Sequence, residues 1–221
     1  MKNKKKTVDI LLKDLKSRYP NPKIELENWE NAFQLLMCVI LSAQSTDISV
    51  NKVTKKLLNK YKTPEDFANA DLTELETYVS SINYYKTKAK RLIEASSYIH
   101  NELNDKLPQN IKDWVKVPGV GRKTANVIMI AGQKIKPEGI VVDTHVTRVA
   151  NRLKLTEHEK NAVKIESDLK DVIPENEWGY VSKSIVLFGR YVCKAKKPDC
   201  ENCNLKDICP YYKNVVSKEE A

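Results

Sequence analysis

The sequence predicts an all-α protein, and three observations lead to this fold class. Apolar residues recur at helical spacing in one segment after another, while no stretch alternates apolar and polar residues long enough to form a sheet. Only 6 glycines occur among the 221 residues, and Leu, Lys, Ala, Glu and Asn are abundant, as in helical chains. A chain of this length suggests one or two domains and can bury a full core.

The helices can be placed in chain order from their apolar stripes, their caps and the prolines that end them. Residues 31–43 are nearly all apolar, so this helix is predicted to lie at the centre of a core. Two shorter helices are expected to begin at Pro64 and after Asp71, which is followed by a glutamate three residues later. The other predicted helices cover about residues 7–19, 47–61, 86–101, 111–116, 122–131, 143–153, 159–172 and 177–191.

Residues 117–126 are the most informative stretch for function, because they combine a tight turn with the start of a helix. The two glycines, Gly119 and Gly121, predict a turn that needs positive φ angles. The helix that follows would present unpaired N–H groups and the positive end of its dipole, which together bind anions. With the short helix before it, the stretch predicts a helix-hairpin-helix that grips a phosphate through backbone amides. The residues assigned to this grip are Pro118, Gly119, Val120, Gly121, Arg122 and Thr124.

Two nucleotide-binding motifs resemble this turn but do not fit it. A dinucleotide-binding fingerprint needs a third glycine and a preceding strand, and a phosphate-binding Walker loop needs Gly-Lys-Ser/Thr separated from its first glycine by four intervening residues. A plain turn between two structural helices fits the local sequence as well as a phosphate grip does. The turn alone therefore leaves both interpretations open.

The charge balance favours an anionic partner. Lysine and arginine total 38 against 29 acidic residues, which gives a formal net charge of +9. Nucleic acid is the first candidate and a membrane surface the second, although a solvated basic surface would have the same composition. No apolar run approaches the roughly 18 residues that a membrane-spanning helix needs. The basic start has no apolar core after it, so we expect no signal peptide and an intracellular protein.

Four of the five cysteines lie close together near the end of the sequence and predict a metal centre. Thiols stay reduced inside cells, so metal binding explains the cluster better than disulfides do. The spacing Cys-x6-Cys-x2-Cys-x5-Cys contains one Cys-x2-Cys pair, whereas zinc ribbons use two, and its wider gaps favour a four-iron cluster over the zinc alternative. The predicted ligands are Cys193, Cys200, Cys203 and Cys209.

Four motifs occur in a fixed order along the chain: residues 41–47 (LSAQSTD), residues 118–125 (PGVGRKTA), residues 142–145 (VDTH) and the cysteine spacing. With these motifs the sequence resembles the endonuclease III family, the iron–sulfur members of the helix-hairpin-helix DNA glycosylases. The resemblance covers nearly the whole chain, from about residue 32 to residue 209.

The resemblance implies a fold of two helical lobes with a DNA cleft between them. A helical barrel would span residues 25–136 and contain the helix-hairpin-helix at about residues 111–131. An iron–sulfur cluster domain would combine residues 1–24 with residues 137–221, and residues 193–209 would form its cluster loop around a [4Fe-4S] cluster.

The resemblance also implies an activity and a partner. The protein would be a bifunctional DNA glycosylase/AP lyase of base excision repair that removes oxidised pyrimidines and cleaves the strand 3′ to the abasic site by β-elimination. Its partner would be double-stranded DNA with a damaged base or an abasic site, bound by a monomer. The damaged base would be turned out of the stack, because its glycosidic carbon cannot be reached inside a duplex.

Two residues match the family's catalytic positions. Lys123 matches the nucleophile that attacks C1′ and holds the sugar as a Schiff base. An amine attacks only when it is unprotonated, and Arg122 and the helix N-terminus both disfavour a second positive charge there. Asp143 matches a carboxylate that stabilises positive charge on the sugar and assists proton transfer. From the residues alone, Lys123 would be a phosphate contact and Asp143 a helix N-cap.

Further DNA contacts follow from the same resemblance. Gln44 matches the residue that fills the hole left by the flipped nucleotide, and Ile82 and Tyr84 lie in a second DNA-facing loop. This loop departs from the family pattern, because Asn83 replaces a common glycine and Tyr84 a customary aliphatic residue. Asn83 is expected to adopt a positive φ, and Tyr84 to stack on the opposite base. The remaining predicted contacts, each with a purely structural or solvated alternative, are His145, Lys194, Lys196 and Lys197.

Other functions remain open at this point. Monofunctional mismatch or adenine glycosylases share the fold, but they typically carry Ser or Tyr in place of the nucleophilic lysine, which is present here as Lys123. A non-catalytic DNA-binding module would use the hairpin and the cluster only to grip the backbone. A zinc-stabilised structural protein is the third alternative.

Overall fold

The computed structural model describes residues 2–216, which form helices and connecting turns without any strand. The predicted all-α fold class is therefore confirmed. The chain divides into two compact units. Residues 24–138 form the first, here called the hairpin unit, and the described parts of residues 1–23 and 139–221 form the second, here called the cysteine unit.

Eleven α-helices are found in this described range. They are α1 (Lys2–Arg18), α2 (Ala32–Ser42), α3 (Asp47–Lys60), α4 (Pro64–Ala68), α5 (Leu72–Val79), α6 (Tyr85–Ser97), α7 (Ile111–Trp114), α8 (Arg122–Val127), α9 (Thr144–Arg152), α10 (Ala162–Val172) and α11 (Trp178–Tyr191). Helices α6 and α8 continue as π-helical turns at Tyr98–Glu102 and Ile128–Gln133, and another π-helical turn covers Tyr212–Val216. Short 3-10 helices cover Glu175–Glu177 and Lys206–Ile208.

The core of the hairpin unit surrounds α2, as its uniformly apolar sequence predicts. Nine of the eleven residues of α2 are buried, and Cys38 is among them. The π-helical turn after α8 packs directly on α2 at Gly132. A Cβ atom on Gly132 would stand 2.9 Å from the Cα atom of Ala32, so any larger residue would push the two helices apart. Close packing at this position fixes α8, and with it the hairpin, to the core.

The helix starts follow the cap signals in the sequence. Thr63 and Asp66 form a reciprocal capping box at α4 with Pro64 in the first helical position, and the Asp71 carboxylate accepts a hydrogen bond from the Glu74 N–H at 2.8 Å. The predicted start of α10 at residue 159 was three residues early. The side chain of Asn161 caps this helix instead, by accepting from the N–H of Lys164.

The cysteine unit is built from α1, α9, α10 and α11 around its own apolar core. Helices α9 and α11 approach closely at Gly189, where an added Cβ atom would stand 2.9 Å from the Cβ atom of His145. The segment between residues 139 and 143 has no regular secondary structure, and its Val141 N–H donates to the hydroxyl of Ser182 at 2.9 Å. Within the residues that the structure describes, no helix is both long and apolar enough to cross a membrane.

Candidate nucleic-acid interface and metal centre

The hairpin turn joins α7 to α8 through residues 115–121. Its backbone is closed by two hydrogen bonds, from the Val117 N–H to the Trp114 carbonyl at 3.1 Å and from the Val120 N–H to the Val117 carbonyl at 3.0 Å. Gly119 has a φ of 78°, as the sequence predicts. Gly121 does not, because its φ of −94° and ψ of 173° place it in the extended region. The expectation that both glycines need positive φ is therefore wrong for Gly121.

Gly121 has no internal structural reason to be glycine. No atom of residues 2–216 outside its immediate neighbours lies within 4 Å of the place where its Cβ atom would stand. Gly121 is also the N-cap residue of α8 and, as a glycine, makes no side-chain cap hydrogen bond to this end of the helix. Open space beside an uncapped helix start is what a bound anion would need. The side chain of Val120 is buried, so any contact at this residue would involve its backbone.

Lys123 and Arg122 both lie exposed in the first turn of α8, and Thr124 is half-buried beside them. Asp143 lies at the start of α9 in the cysteine unit. Its Oδ1 atom accepts hydrogen bonds from the N–H groups of His145 at 2.8 Å and Val146 at 2.9 Å. The structural role of Asp143 as an N-cap is thus established. Because Lys123 and Asp143 belong to different units, their joint catalytic role stays a prediction.

Two exposed turns of the hairpin unit carry the predicted wedge residues. The Gln44 turn (residues 43–46) joins α2 to α3, and the Tyr84 turn (residues 80–84) leads into α6. Gln44 has a φ of 54° and Tyr84 a φ of 57°, so the positive φ expected at Asn83 lies one residue later. The Tyr84 side chain is 67% exposed, whereas Ile82 is 2% exposed and belongs to the core. The prediction that the Ile82 side chain contacts DNA is corrected by this burial.

The four clustered cysteines line one cavity in the cysteine unit. Its volume is about 390 Å³, including space open to solvent, and apolar side chains such as Phe188 and Leu205 complete its wall. All four cysteines are half-buried, and burial raises the pKa of the Cys203 thiol to about 11. A thiolate at Cys203 would thus need a positive partner. Within the described chain, no three His, Cys, Asp or Glu side chains converge at the spacing of a single metal ion.

Arg152 holds the start of the cysteine loop (residues 193–209) and was not found by sequence reasoning. Its guanidinium donates to the Cys193 sulfur at 3.3 Å, to the Lys194 carbonyl at 2.7 Å and to the Ala195 carbonyl at 3.2 Å. Its planar group also stacks 4.1 Å above the ring of Tyr211. Arg152 lies on α9, nine residues after Asp143, so the same helix supports both the cap and the loop.

Helix α1 holds the other side of the cysteine loop through a buried carboxylate. Asp14 is 3% exposed and pairs with Arg18, whose nitrogen lies 2.9 Å from the Asp14 carboxylate. Asp14 also accepts a hydrogen bond from Asn204, and Arg18 donates to the Asn202 carbonyl at 2.6 Å. The bonds to Asn202 and Asn204 join residues more than 180 positions apart, so no local pattern in the sequence could have indicated them.

The remaining predicted DNA contacts differ in their surroundings. Lys194, Lys196 and Lys197 are all exposed. His145 is half-buried, and its Nδ1 atom lies 3.2 Å from the Arg148 guanidinium, which also donates to the carbonyls of Gly189 and Cys193. Arg148 therefore joins α9 to α11, and His145 is its hydrogen-bonding neighbour within α9.

Comparison with known proteins decides the family. Residues 37–175 match the model of the HhH-GPD superfamily of base excision DNA repair proteins, and residues 193–209 match the iron–sulfur binding domain of endonuclease III. The chain is 41% identical over 198 residues to endonuclease III of Rickettsia prowazekii, covering 90% of this chain and 92% of the relative. It is 38% identical over 204 residues to the Bacillus subtilis endonuclease III, covering 92% of each. The chain belongs to the endonuclease III family.

A solved structure agrees with this assignment to the endonuclease III family. A trapped covalent intermediate of an endonuclease III with DNA superimposes with a TM-score of 0.89 at 37% identity, covering 96% of this chain and 98% of that one. The protein is accordingly a base excision repair enzyme of the DNA glycosylase and AP lyase class.

Membership in the endonuclease III family also identifies the metal centre as an iron–sulfur cluster of the [4Fe-4S] type. The cavity fits such a group, because four thiols line it, apolar side chains surround it and an arginine donates to one of the sulfurs. Such hydrogen bonds and low solvent exposure are the usual means by which proteins stabilise iron–sulfur clusters.

Proposed function

We propose that the protein is a bifunctional DNA glycosylase/AP lyase that removes oxidised pyrimidines from duplex DNA and cleaves the strand through a Schiff base on Lys123. The observation that carries this proposal is the position of Lys123. Its amine is exposed in the first turn of α8, two residues after Gly121, where the helix start is uncapped and open. An amine beside a phosphate-binding turn would be held against the deoxyribose of a bound strand.

The lysine chemistry runs in two stages. The Lys123 nitrogen bonds to C1′ while the bond from C1′ to the base breaks, and the base leaves with the electron pair and takes up a proton. The sugar ring then opens to give an imine between C1′ and the lysine nitrogen. Loss of a proton from C2′ breaks the bond to the 3′ phosphate, and hydrolysis of the imine releases the enzyme.

Asp143 is proposed to stabilise the positive charge that develops on the sugar and to assist proton transfer. Its Oδ1 atom is occupied by two backbone N–H groups of α9. These hydrogen bonds hold the side chain in one orientation, which suits a carboxylate used for electrostatic stabilisation.

The remaining groups are proposed to bind and orient the DNA. Amides of the hairpin turn would hold the phosphate backbone, and Gln44 and Tyr84 would enter the space left by the flipped nucleotide. Cys193, Cys200, Cys203 and Cys209 are proposed as the cluster ligands. When bound, the cluster supplies iron–thiolate bonds that fix the cysteine loop, whose exposed lysines can then meet phosphates.

Borohydride trapping tests the central step. Incubation with a duplex that contains one abasic site, followed by reduction, should give a covalent complex with the wild type and none with Lys123→Gln. Lys112→Gln, which changes an exposed lysine on α7, is the matched control and should be trapped like the wild type. Equal trapping of Lys123→Gln would refute the proposed nucleophile. Absence of trapping in the wild type would favour a DNA-binding module without lyase activity.

The lesion class needs a separate measurement. Base release from duplexes with single oxidised pyrimidines, mismatches or intact bases should be fast only for the oxidised pyrimidines. Preferred release from mismatches would contradict the proposed substrate class. Sedimentation of the protein on a short abasic-site duplex should show one chain per duplex, as expected for a monomer.

A further inference from the structure

The Gln44 turn and the Tyr84 turn share an unusual backbone feature. Gln44 and Tyr84 have φ angles of 54° and 57°, a conformation that residues other than glycine adopt infrequently. Both side chains are exposed, although Tyr84 is large and mostly apolar. Strained residues that persist in a structure must be held by their surroundings, and they occur often at functional sites. The contacts that hold these two turns are therefore informative.

Asn83 connects the two turns directly. Its Nδ2 atom donates to the carbonyl oxygen of Gln44 at 2.9 Å, across 39 residues of sequence. The bond runs from the residue before Tyr84 to the backbone of Gln44 itself. A glycine at position 83 would have no side chain to make it. This departure from the family pattern thus adds a contact between the two turns.

Lys88 supports the Gln44 turn from the interior of the hairpin unit. Its side chain is 3% exposed, and its Nζ atom donates to the Leu41 carbonyl at 2.8 Å and to the Ser45 hydroxyl at 2.9 Å. Leu41 lies in the last turn of α2, where a cation satisfies an unpaired carbonyl and meets the negative end of the helix dipole. Burial, with a smaller effect of the nearby Arg91, lowers the pKa of Lys88. A lysine this buried persists only when its amine is paired.

Helix α6 carries Lys88 and begins directly after the Tyr84 turn that contains Asn83. Tyr84 is its N-cap residue, Lys88 lies in its first turn, and Arg91 follows three residues later on the same face. The carbon atoms of the Arg91 side chain lie 3.7–3.9 Å from the place where a Cβ atom on Gly119 would stand. One side of α6 therefore contacts the hairpin turn, while its start contacts the Gln44 turn.

We propose that Asn83 and Lys88 are positioning residues that lock the Gln44 and Tyr84 turns into one rigid wedge, so that both side chains enter the DNA as a unit. This inference rests on the proposed function, because it assumes that Gln44 and Tyr84 meet the DNA at the lesion. The partner that the wedge recognises is an unstacked base facing an abasic site, since the Tyr84 ring can stack on any base that has lost its partner.

A double-mutant cycle measures whether the two side chains act together. Affinities are measured for a duplex with a tetrahydrofuran abasic-site analogue, using the full-length holoprotein and the variants Gln44→Ala, Tyr84→Ala and the double variant. If the two side chains are coupled, the affinity loss of the double variant should differ from the product of the two single-variant losses by about fivefold or more. The cycle is then repeated in an Asn83→Asp background, which keeps the side-chain shape but has no N–H to donate.

Removal of the proposed supports should remove the coupling. In the Asn83→Asp background, and independently in the Lys88→Met background, the affinity loss of the double variant should equal the product of the two single-variant losses within about twofold. Lys90→Met is the matched control, because it removes an exposed lysine from the same helix and should leave the coupling intact. If Lys88→Met does not fold, Asn83→Asp still decides, since its side chain is exposed.

A second readout reports on stacking without catalysis. With 2-aminopurine opposite the abasic-site analogue, the wild type should quench the fluorescence through Tyr84, and Asn83→Asp should quench it less at saturating protein. Unchanged coupling and quenching in both Asn83→Asp and Lys88→Met, with strand cleavage by the wild type intact, would refute the rigid wedge alone. A wild type that neither binds nor cleaves abasic-site DNA would refute the proposed function and the wedge with it.

Discussion

Replacing Gly121 by alanine should separate DNA binding from folding at the hairpin turn. The residue has an extended backbone, and no described atom would touch its new methyl group. Alanine restricts the unfolded chain more than glycine does, which stabilises by about 0.4–1 kcal/mol, but it is a poorer N-cap residue by a similar amount. The two effects offset each other, so the melting temperature of Gly121→Ala should stay within about 4 °C of the wild type.

DNA affinity, in contrast, should fall clearly. A methyl group at Gly121 would occupy the open side of the uncapped helix start, where a phosphate oxygen has to approach the backbone. Loss of one hydrogen bond to a charged group amounts to about 1.5–3 kcal/mol. We therefore expect Gly121→Ala to bind an abasic-site duplex about 10- to 100-fold more weakly. Fluorescence anisotropy on the labelled duplex measures this loss, and thermal unfolding shows whether the stability is unchanged.

Gly119→Ala is the matched comparison within the same turn. Its φ of 78° would strain an alanine by about 1–2 kcal/mol, whereas the nearest atoms, on Arg91, are at ordinary contact distance. After the effect on the unfolded chain, a net loss of stability of up to about 1.5 kcal/mol is expected. If Gly121→Ala folds normally and binds the duplex as tightly as the wild type, the phosphate grip at this helix start is refuted.

Three further predictions concern the cysteine unit. Asp143→Asn should keep the cap of α9, since asparagine caps helices as well as aspartate does. It should nevertheless reduce strand cleavage of an abasic-site duplex by about 100-fold or more. Normal cleavage by this variant would show that the negative charge of Asp143 is not needed. Arg152→Met should release iron to a chelator faster than the wild type, because its guanidinium contacts hold the cysteine loop. Lys154→Met, which changes an exposed residue, is the control and should release iron at the wild-type rate. If Arg152→Met also releases iron at the wild-type rate, the guanidinium contacts do not hold the loop. Replacing the exposed lysines of the cysteine loop by glutamine should make the plot of log affinity against log salt concentration less steep. The slope should fall by about 0.9 for each lysine that contacts a phosphate. An unchanged slope would show that these lysines do not contact phosphates.

Much of the hairpin site could be predicted from the sequence because its signals are local. A turn with Gly119, a helix that starts after it and an exposed lysine in that helix all follow from residues within one short stretch. The same local signals gave a wrong prediction for Gly121. A glycine can occupy a position because the backbone has a positive φ or because a ligand needs open space there, and the sequence does not distinguish the two. Ile82 was misjudged for a related reason, because its burial depends on helices distant in the chain.

The helices, the cap signals of α4, α5 and α9 and a cysteine spacing that favours a cluster over zinc all follow from the sequence. These features depend on interactions within about four residues or on fixed spacing along the chain, which a sequence shows directly. The support of the Gln44 turn by Asn83 and Lys88, across 39 to 47 residues, and the contact of Arg152 with the Cys193 sulfur are visible only in the folded chain. The physical reason is that such hydrogen bonds depend on the packing of whole helices, which brings together side chains that no periodicity relates.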